Sequence, residues 1–211
     1  GIPVIVSGKG AVYDNFRWIE NDAPYTSIPY RNYGASMRPA ENALKNAVPT
    51  VTSSNGGKTV VVKATRSALV PTTLTYILHA DGAVDLKVDM DPTSTPSEGL
   101  CRLGVSMGFD RRYSLMNYTA RGPLENYVDR CEGTFFGNYV LPVDSNLTTY
   151  ARTQSCGNRM GLRRLDLTDA EGNGIRVLTE GQVDFSVLPY DDRDLINVEH
   201  DWELAPSTCN T

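Results

Sequence analysis

Leu74-Thr75-Tyr76-Ile77-Leu78-His79-Ala80-Asp81-Gly82-Ala83-Val84-Asp85-Leu86-Lys87-Val88-Asp89-Met90 is the stretch that decides the fold class. Two runs rich in apolar and β-branched residues flank the tip His79-Ala80-Asp81-Gly82. The second run alternates, with Val84, Leu86, Val88 and Met90 set against Asp85, Lys87 and Asp89. A period of two places one set on a buried face and the other in solvent, which is the signature of a half-buried strand. Asp-Gly at the tip supplies the turn chemistry of a hairpin. The stretch therefore predicts two antiparallel strands.

The same pattern extends outward in both directions. Asn55-Gly56-Gly57 is a turn that introduces a strand over Val60-Val61-Val62-Lys63-Ala64-Thr65. Cys101-Arg102-Leu103-Gly104-Val105-Ser106-Met107 reads as another strand, as do residues 114–119, 163–167, 174–178 and 184–187. Asp169-Ala170-Glu171-Gly172-Asn173-Gly174 forms a turn-rich tip between two of them. Only residues 39–47 and 192–198 read as short helices, the second capped by Asp191 or Asp192. That pair of aspartates suits a cap and a solvated turn better than a metal site. No internal repeat, low-complexity stretch or linker interrupts the chain, and Pro92-Thr93-Ser94-Thr95-Pro96-Ser97 is short enough to be a loop within one domain. Successive hairpins predict an all-β chain with an antiparallel sheet sandwich.

Composition excludes several function classes. The chain has 211 residues, 40% hydrophobic and 9% aromatic, enough for a substantial core. Lys and Arg number 20 against 25 Asp and Glu, a formal charge of −5. An acidic chain without a basic run lacks the phosphate-neutralising surface of a nucleic-acid binder. No apolar run approaches the roughly 20 residues of a membrane-spanning helix. Cys101, Cys131, Cys156 and Cys209 contain no C-x-x-C spacing, and only His79 and His200 offer imidazole, so a zinc site is not expected. The four cysteines fit buried thiols, or up to two disulfides in three full pairings where the compartment is oxidising. The start Gly1-Ile2-Pro3 has no Met and no signal-like segment, as in a trimmed or mature form or a piece of something longer.

Three further stretches carry a resemblance. They are Asp14-Asn15-Phe16-Arg17-Trp18-Ile19-Glu20-Asn21-Asp22, then Ala120-Arg121-Gly122-Pro123-Leu124-Glu125-Asn126-Tyr127-Val128-Asp129-Arg130, then Tyr150-Ala151-Arg152-Thr153-Gln154-Ser155-Cys156-Gly157-Asn158-Arg159. Phe185-Ser186-Val187-Leu188-Pro189-Tyr190 and residues 200–204 follow in order. In sequence and spacing this resembles the C-terminal small-chain domain of β-galactosidases of glycoside hydrolase family two, over nearly all 211 residues. The resemblance implies a large antiparallel β-supersandwich like the galactose mutarotase fold, with one or two short helices, formed by residues 1–211 as a single domain. Ala120, Thr153 and Ser155-Cys156 depart from the family pattern, and all three lie in expected loops. The family domain also continues past the His200 region, into a segment that carries an active-site aromatic in relatives. The chain is therefore expected to be truncated at both ends relative to the family.

Retaining glycoside hydrolysis needs two carboxyls about 5–5.5 Å apart. The resemblance places both catalytic glutamates on a separate (β/α)8 barrel, and no strand–helix series of that kind occurs here. No catalytic residue, cofactor or metal ligand is therefore assigned to this chain. The partners implied are the catalytic barrel and the remaining domains, with a galactoside as substrate of the intact enzyme, and neither nucleic acid nor membrane. A bacterial setting is implied, with periplasm and cytoplasm both open.

Arg17, Trp18, Glu20, Asn21 and Asp22 are the substrate-proximal candidates. Polar groups for hydroxyls and an aromatic face for a ring are what sugar sites use, and in the family the loop with the Asn-Asp pair borders the active-site opening. The alternative is that Arg17 and Glu20 pair internally while Trp18 packs in a core or interface. Arg121, Glu125, Asn126, Asp129, Arg130, Asn158 and Arg159 read as an architectural polar motif that satisfies backbone groups and forms ion pairs. Two other functions are carried along. An aldose epimerase of the mutarotase type would need a His and a carboxylate converging on one sugar, yet Glu199 and His200 are adjacent and point to opposite faces of a regular strand. His200 therefore reads as structural and His79 as solvated. A carbohydrate-binding module would need an exposed aromatic platform, for which Trp18, Tyr25, Tyr30 and Tyr33 are near enough in sequence.

Overall fold

The computed structural model describes residues 12–14, 48–54, 56–64, 72–91, 93, 104–150, 153, 156–190, 194–195, 198, 200–205 and 209–211. These fall into two compact units, one within Ala11–Ser106 and one within Met107–Thr211. The strands are antiparallel in both, so the chain is all-β.

In the first unit, β1 (Val12–Asp14) pairs with β6 (Gly104–Ser106). The remaining strands are β2 (Thr50–Ser54), β3 (Gly57–Ala64), β4 (Thr72–His79) and β5 (Val84–Met90), which form a meander in that order. The expected hairpin is β4–β5, in register Leu74↔Val88 and Tyr76↔Leu86. Asp85, Lys87 and Asp89 are exposed while Val84, Leu86 and Val88 are partly buried, as the alternation requires. Leu74 is the most buried residue described on this sheet. At the tip, Gly82 has φ of 93°, a region that favours glycine. There the Ala83 amide donates to Asp81 Oδ1 at 3.0 Å and the His79 amide to the Ala83 carbonyl at 2.9 Å.

In the second unit, β8 (Leu115–Gly122), β9 (Phe135–Pro142), β10 (Arg164–Thr168) and β11 (Gly174–Leu178) form a sheet in the order β11-β10-β8-β9. Separately, β7 (Phe109–Asp110) pairs with β12 (Cys209–Asn210). Strand β8 lies inside the sheet and alternates strictly, burying Met116, Tyr118, Ala120 and Gly122. Leu165 and Leu167 of β10 join Met116 and Tyr118 in the core with Tyr113, Val143, Leu162 and Val187. Each such large side chain contributes about 1.5–3 kcal/mol by leaving water. Tyr118 also packs edge-on to Phe185, with ring centres 5.4 Å apart.

The outcomes differ from expectation in a few places. Residues 184–187 do not form a strand. Phe185 exchanges two backbone bonds with Arg159, and Leu188 exchanges two with Thr211, so the segment changes partners too quickly for a ladder. Strands β1, β2, β7, β9 and β12 lie where none was expected, and Ala120, expected in a loop, is buried within β8 because its pairing with β9 and the inward parity of Met116 and Tyr118 carry the strand on to Gly122. Single-turn helices occur at Val143–Asn146 and Asp201–Glu203. Residues 194 and 195 are helical within the expected 192–198 segment, whereas 39–47 lies outside the described residues. Cys131, Cys156 and Cys209 are not in disulfides, the latter two being buried, and Cys101 lies outside the described residues.

Candidate functional site

The connection from β8 to β9 holds the long polar motif. It leaves β8 through a cis Gly122–Pro123 peptide and closes a tight turn in which Tyr127 and Arg130 exchange backbone bonds of 3.2 and 2.9 Å. A loop of this shape has no strand ladder to satisfy its backbone, so its polar groups need side-chain partners. Asn126 supplies most of them and is fully buried. Its Nδ2 donates to the carbonyls of Arg121 (3.1 Å) and Leu124 (2.9 Å), and its Oδ1 accepts from the Met160 amide at 3.0 Å. The backbone of Asn126 is tied to Asn158 in both directions: its amide donates to the Asn158 carbonyl at 2.8 Å, and its carbonyl accepts from Asn158 Nδ2 at 2.7 Å.

Glu125 anchors the other side of the loop, its side chain 9% exposed. One oxygen accepts from the Gly157 amide at 2.7 Å. The other accepts from Arg130 Nη2 at 2.5 Å and from the Tyr150 hydroxyl. Burial alone would raise the Glu125 carboxyl. Donation from Tyr150, Gly157 and Thr148 and the charge of Arg130 outweigh it and hold it below the usual carboxylate range. Burial pushes the Tyr127 phenol far up, with the negative charge of Glu125 adding to it, and raises Tyr150 and Tyr118 as well. At neutral pH the cluster is thus one ionised carboxylate held by neutral donors and a guanidinium. A general acid needs a carboxyl that keeps its proton near the working pH, and this environment does the opposite.

The other motif residues are placed as follows. Arg121 Nη1 donates to the carbonyls of Thr134 (2.7 Å) and Cys131 (3.3 Å). Arg159 is 4% exposed, donates through Nε to the Tyr118 hydroxyl at 3.2 Å and through Nη1 to the carbonyls of Gly157 and Asn158. Tyr118 in turn donates to the Pro123 carbonyl. Asp129 is exposed on the outer turn. Arg121, Glu125, Asn126, Arg130, Asn158 and Arg159 therefore meet in one network. Arg17, Trp18, Glu20, Asn21 and Asp22 lie outside the described residues, as do Tyr25, Tyr30 and Tyr33. Tyr118, Tyr150 and Gly157 were not among the candidates, although Tyr150 and Gly157 stand within the third quoted stretch. Only the phenol and the small residue beside Asn158 could have signalled them.

The histidines are engaged locally. His79 Nε2 lies 2.8 Å from Asp85 Oδ2 on the exposed hairpin. His200 Nδ1 lies 3.0 Å from Glu203 Oε1, and its ring stacks on Trp202 with centres 4.2 Å apart and planes at 12°. Trp202 is 80% exposed.

Comparison with known proteins shows the family. The model of the β-galactosidase small chain matches residues 10–211. A β-galactosidase of Lactobacillus delbrueckii subsp. bulgaricus is 29% identical over 199 residues, 94% of this chain and 18% of the relative. That of Priestia megaterium is 28% identical over 138 residues, 65% of this chain and 13% of its own length. That of Halalkalibacterium halodurans is 34% identical over 133 residues, 61% and 13% respectively. The chain thus spans between 13% and 18% of these relatives. With a family match across almost its whole length, on an all-β antiparallel fold, the chain belongs to the β-galactosidase small-chain family.

Proposed function

We propose that the chain is a non-catalytic accessory part of a β-galactosidase. In the intact enzyme it packs against the catalytic barrel and other domains and shapes the rim of the galactoside site. The observation that carries this is the family match over residues 10–211 set against relatives several times longer. The Glu125 network supports it, because both oxygens of Glu125 and both amide atoms of Asn126 are spent on the loop and the segment packed against it.

The outer face of β9 supports it too. Phe136 and Val140 are each 57% exposed, Pro142 on the same face is exposed, and the eight residues of β9 carry no charge. Across the sheet, the same face is polar, Asp166 pairing with Arg176 at 2.6 and 2.8 Å and Arg164 Nη2 donating to Asn117. An uncharged apolar edge strand is a surface for another part of a protein. An epimerase is less well supported, since each described histidine is bound to a carboxylate within its own turn or hairpin.

Arg17, Trp18, Glu20, Asn21 and Asp22 are the residues proposed to border the sugar. The test is hydrolysis of a chromogenic β-galactoside by the purified chain. No turnover is expected, and turnover that survives repurification would overturn the proposal.

A further inference from the structure

We propose that β9 pairs with the β9 of a second copy of this chain, antiparallel across a two-fold axis at Asn138, joining the two sheets into one. β9 is the outer strand of its sheet, and its register with β8 runs through eight consecutive pairs without a bulge. The Val143 amide donates to the Ser114 carbonyl at 2.8 Å, which sets the alternation of the ladder. Residues 135, 137, 139 and 141 therefore bond to β8, while Phe136, Asn138 and Val140 turn their N–H and C=O groups to the open side. No described residue bonds those groups there.

An open edge is normally blunted by a charge, a bulge, a proline or a cover. β9 has no charge and no bulge, and its proline, Pro142, is its last residue. The other outer strands of the two larger sheets differ. β5 carries Asp85, Lys87 and Asp89, β11 carries Arg176, and β2 has Val51 as its one large apolar side chain.

The sequence of β9 selects its own copy as the strand that fits. With Asn138 opposite Asn138, Phe136 falls opposite Val140 of the second copy, and Val140 opposite its Phe136. Every outward N–H and C=O of the three residues then finds a partner. A shift of the register would set Phe136 against Pro142, which has no N–H, or Val140 against Thr134, whose amide is already bonded to Cys131. An aromatic opposite a β-branched side chain is a favourable cross-strand pair. Phe136 and Val140, each 57% exposed, would cover each other, and on the opposite face Phe135 would meet Leu141. Asn138 Oδ1 accepts from Thr119 Oγ1, leaving Nδ2 to donate across the axis. Charge points the same way. Two copies with a formal charge of −5 each repel, and the neutral β9 edge brings no like charges together. Such a contact is isologous and closes on itself as a dimer.

The experiment is sedimentation equilibrium of the full chain from about 5 to about 500 μM, a span that covers micromolar association. Concentration-dependent dimers are expected. Position 138 meets itself across the axis, so Asn138→Lys and Asn138→Asp should each weaken the dimer about tenfold or more, and an equimolar mixture of the two should recover to within about threefold of wild type. Val140→Pro removes an outward N–H and leaves the bonds to β8, so it should also weaken the dimer while keeping the circular dichroism of the folded chain. A monomer at every concentration would overturn the proposal. Dimers as strong in Asn138→Lys and Val140→Pro as in wild type would overturn it too, by placing the contact elsewhere. Loss in both Asn138 variants without recovery on mixing would overturn the two-fold register. None of these results bears on the accessory-domain reading, which falls only if the chain turns over substrate.

Discussion

Replacing Asn126 with Ala should be among the most damaging single changes in the second unit. Three backbone groups lose their partner at once: the carbonyls of Arg121 and Leu124 and the amide of Met160. A buried polar group left unpaired costs about 1–3 kcal/mol. Water entering the vacated space returns part of that, so the net loss should be about 3–5 kcal/mol. With a urea slope of about 2 kcal/mol per molar, the midpoint should fall by about 1.5–2.5 M, followed by far-ultraviolet circular dichroism. Asn126→Asp separates bonding from volume, since it is isosteric. Its one oxygen can still accept from Met160, but the other then faces two carbonyls at 2.9 and 3.1 Å with no proton to give. It should be no more stable than the Ala variant at neutral pH and should recover partly in acid, when the protonated carboxyl can donate. If either variant unfolded within about 1 kcal/mol of wild type at neutral pH, the claim that Asn126 replaces a missing ladder would be wrong.

Three other outcomes follow from the same network. Glu125→Gln tests the depressed carboxyl. The contribution of Glu125 is fully present above the unfolded carboxylate pKa of about 4.3 and is lost as pH falls through the lower folded value. The midpoint gap between wild type and Glu125→Gln should therefore be wide at pH 7 and narrow in strong acid; a gap independent of pH would refute the assignment. Gly157 and Gly161 have nearly equal φ, 74° and 72°, but an added Cβ would sit 2.8 Å from the Asn146 carbonyl oxygen at Gly157 and meet nothing within 4 Å at Gly161. Gly161→Ala should cost about 1–2 kcal/mol from backbone strain, and Gly157→Ala a further 1–3 kcal/mol or so from overpacking, measured by the same urea unfolding. Tyr118→Phe strips partners from Arg159 Nε and the Pro123 carbonyl and should cost about 1–2 kcal/mol, with equal stability counting against the network.

What the sequence made legible was decided by locality. The β4–β5 hairpin was readable because its alternation, its Asp-Gly tip and its partner strand all lie within one continuous stretch, residues 72–90. Strand β9 was not, because Gly137 and Asn138 interrupt Phe135-Phe136 and Tyr139-Val140-Leu141, and only pairing with β8 makes one strand of them. Residues 184–187 show the reverse error. Their short alternation resembles a strand, but which partner each residue finds, Arg159 or Thr211, is settled by distant segments. The architectural role expected of the polar motif could be read from residue types, since amides and guanidinium groups beside Gly-Pro suit a loop that must satisfy itself. Which residues close the network could not. Tyr150 and Gly157 lie 25 and 32 positions from Glu125, and nothing local marks them as its partners.

The length of the motif from Arg121 to Arg130 invites a catalytic reading, and the bonding argues against it residue by residue. A general-acid carboxyl is kept partly desolvated and short of donors, so that its proton is available when the substrate arrives. Glu125 is desolvated but has donors on both oxygens, and its Arg130 neighbour lowers it further. Asn126 has both ends of its amide committed to backbone, and Arg121 Nη1 donates to two carbonyls. What these side chains do is stand in for a strand ladder between the end of β8 and residues 156–160. Such a ladder substitute demands specific residues at specific spacings, because each amide or carboxylate must reach a particular carbonyl or N–H. Chemistry on a sugar would demand the same specificity but would leave at least one polar group facing outward with nothing to bind. Within the motif, Glu125 has donors on both oxygens, Asn126 has both amide atoms bonded to backbone, and the buried Arg159 has its Nε and Nη1 bonded to Tyr118 and to loop carbonyls.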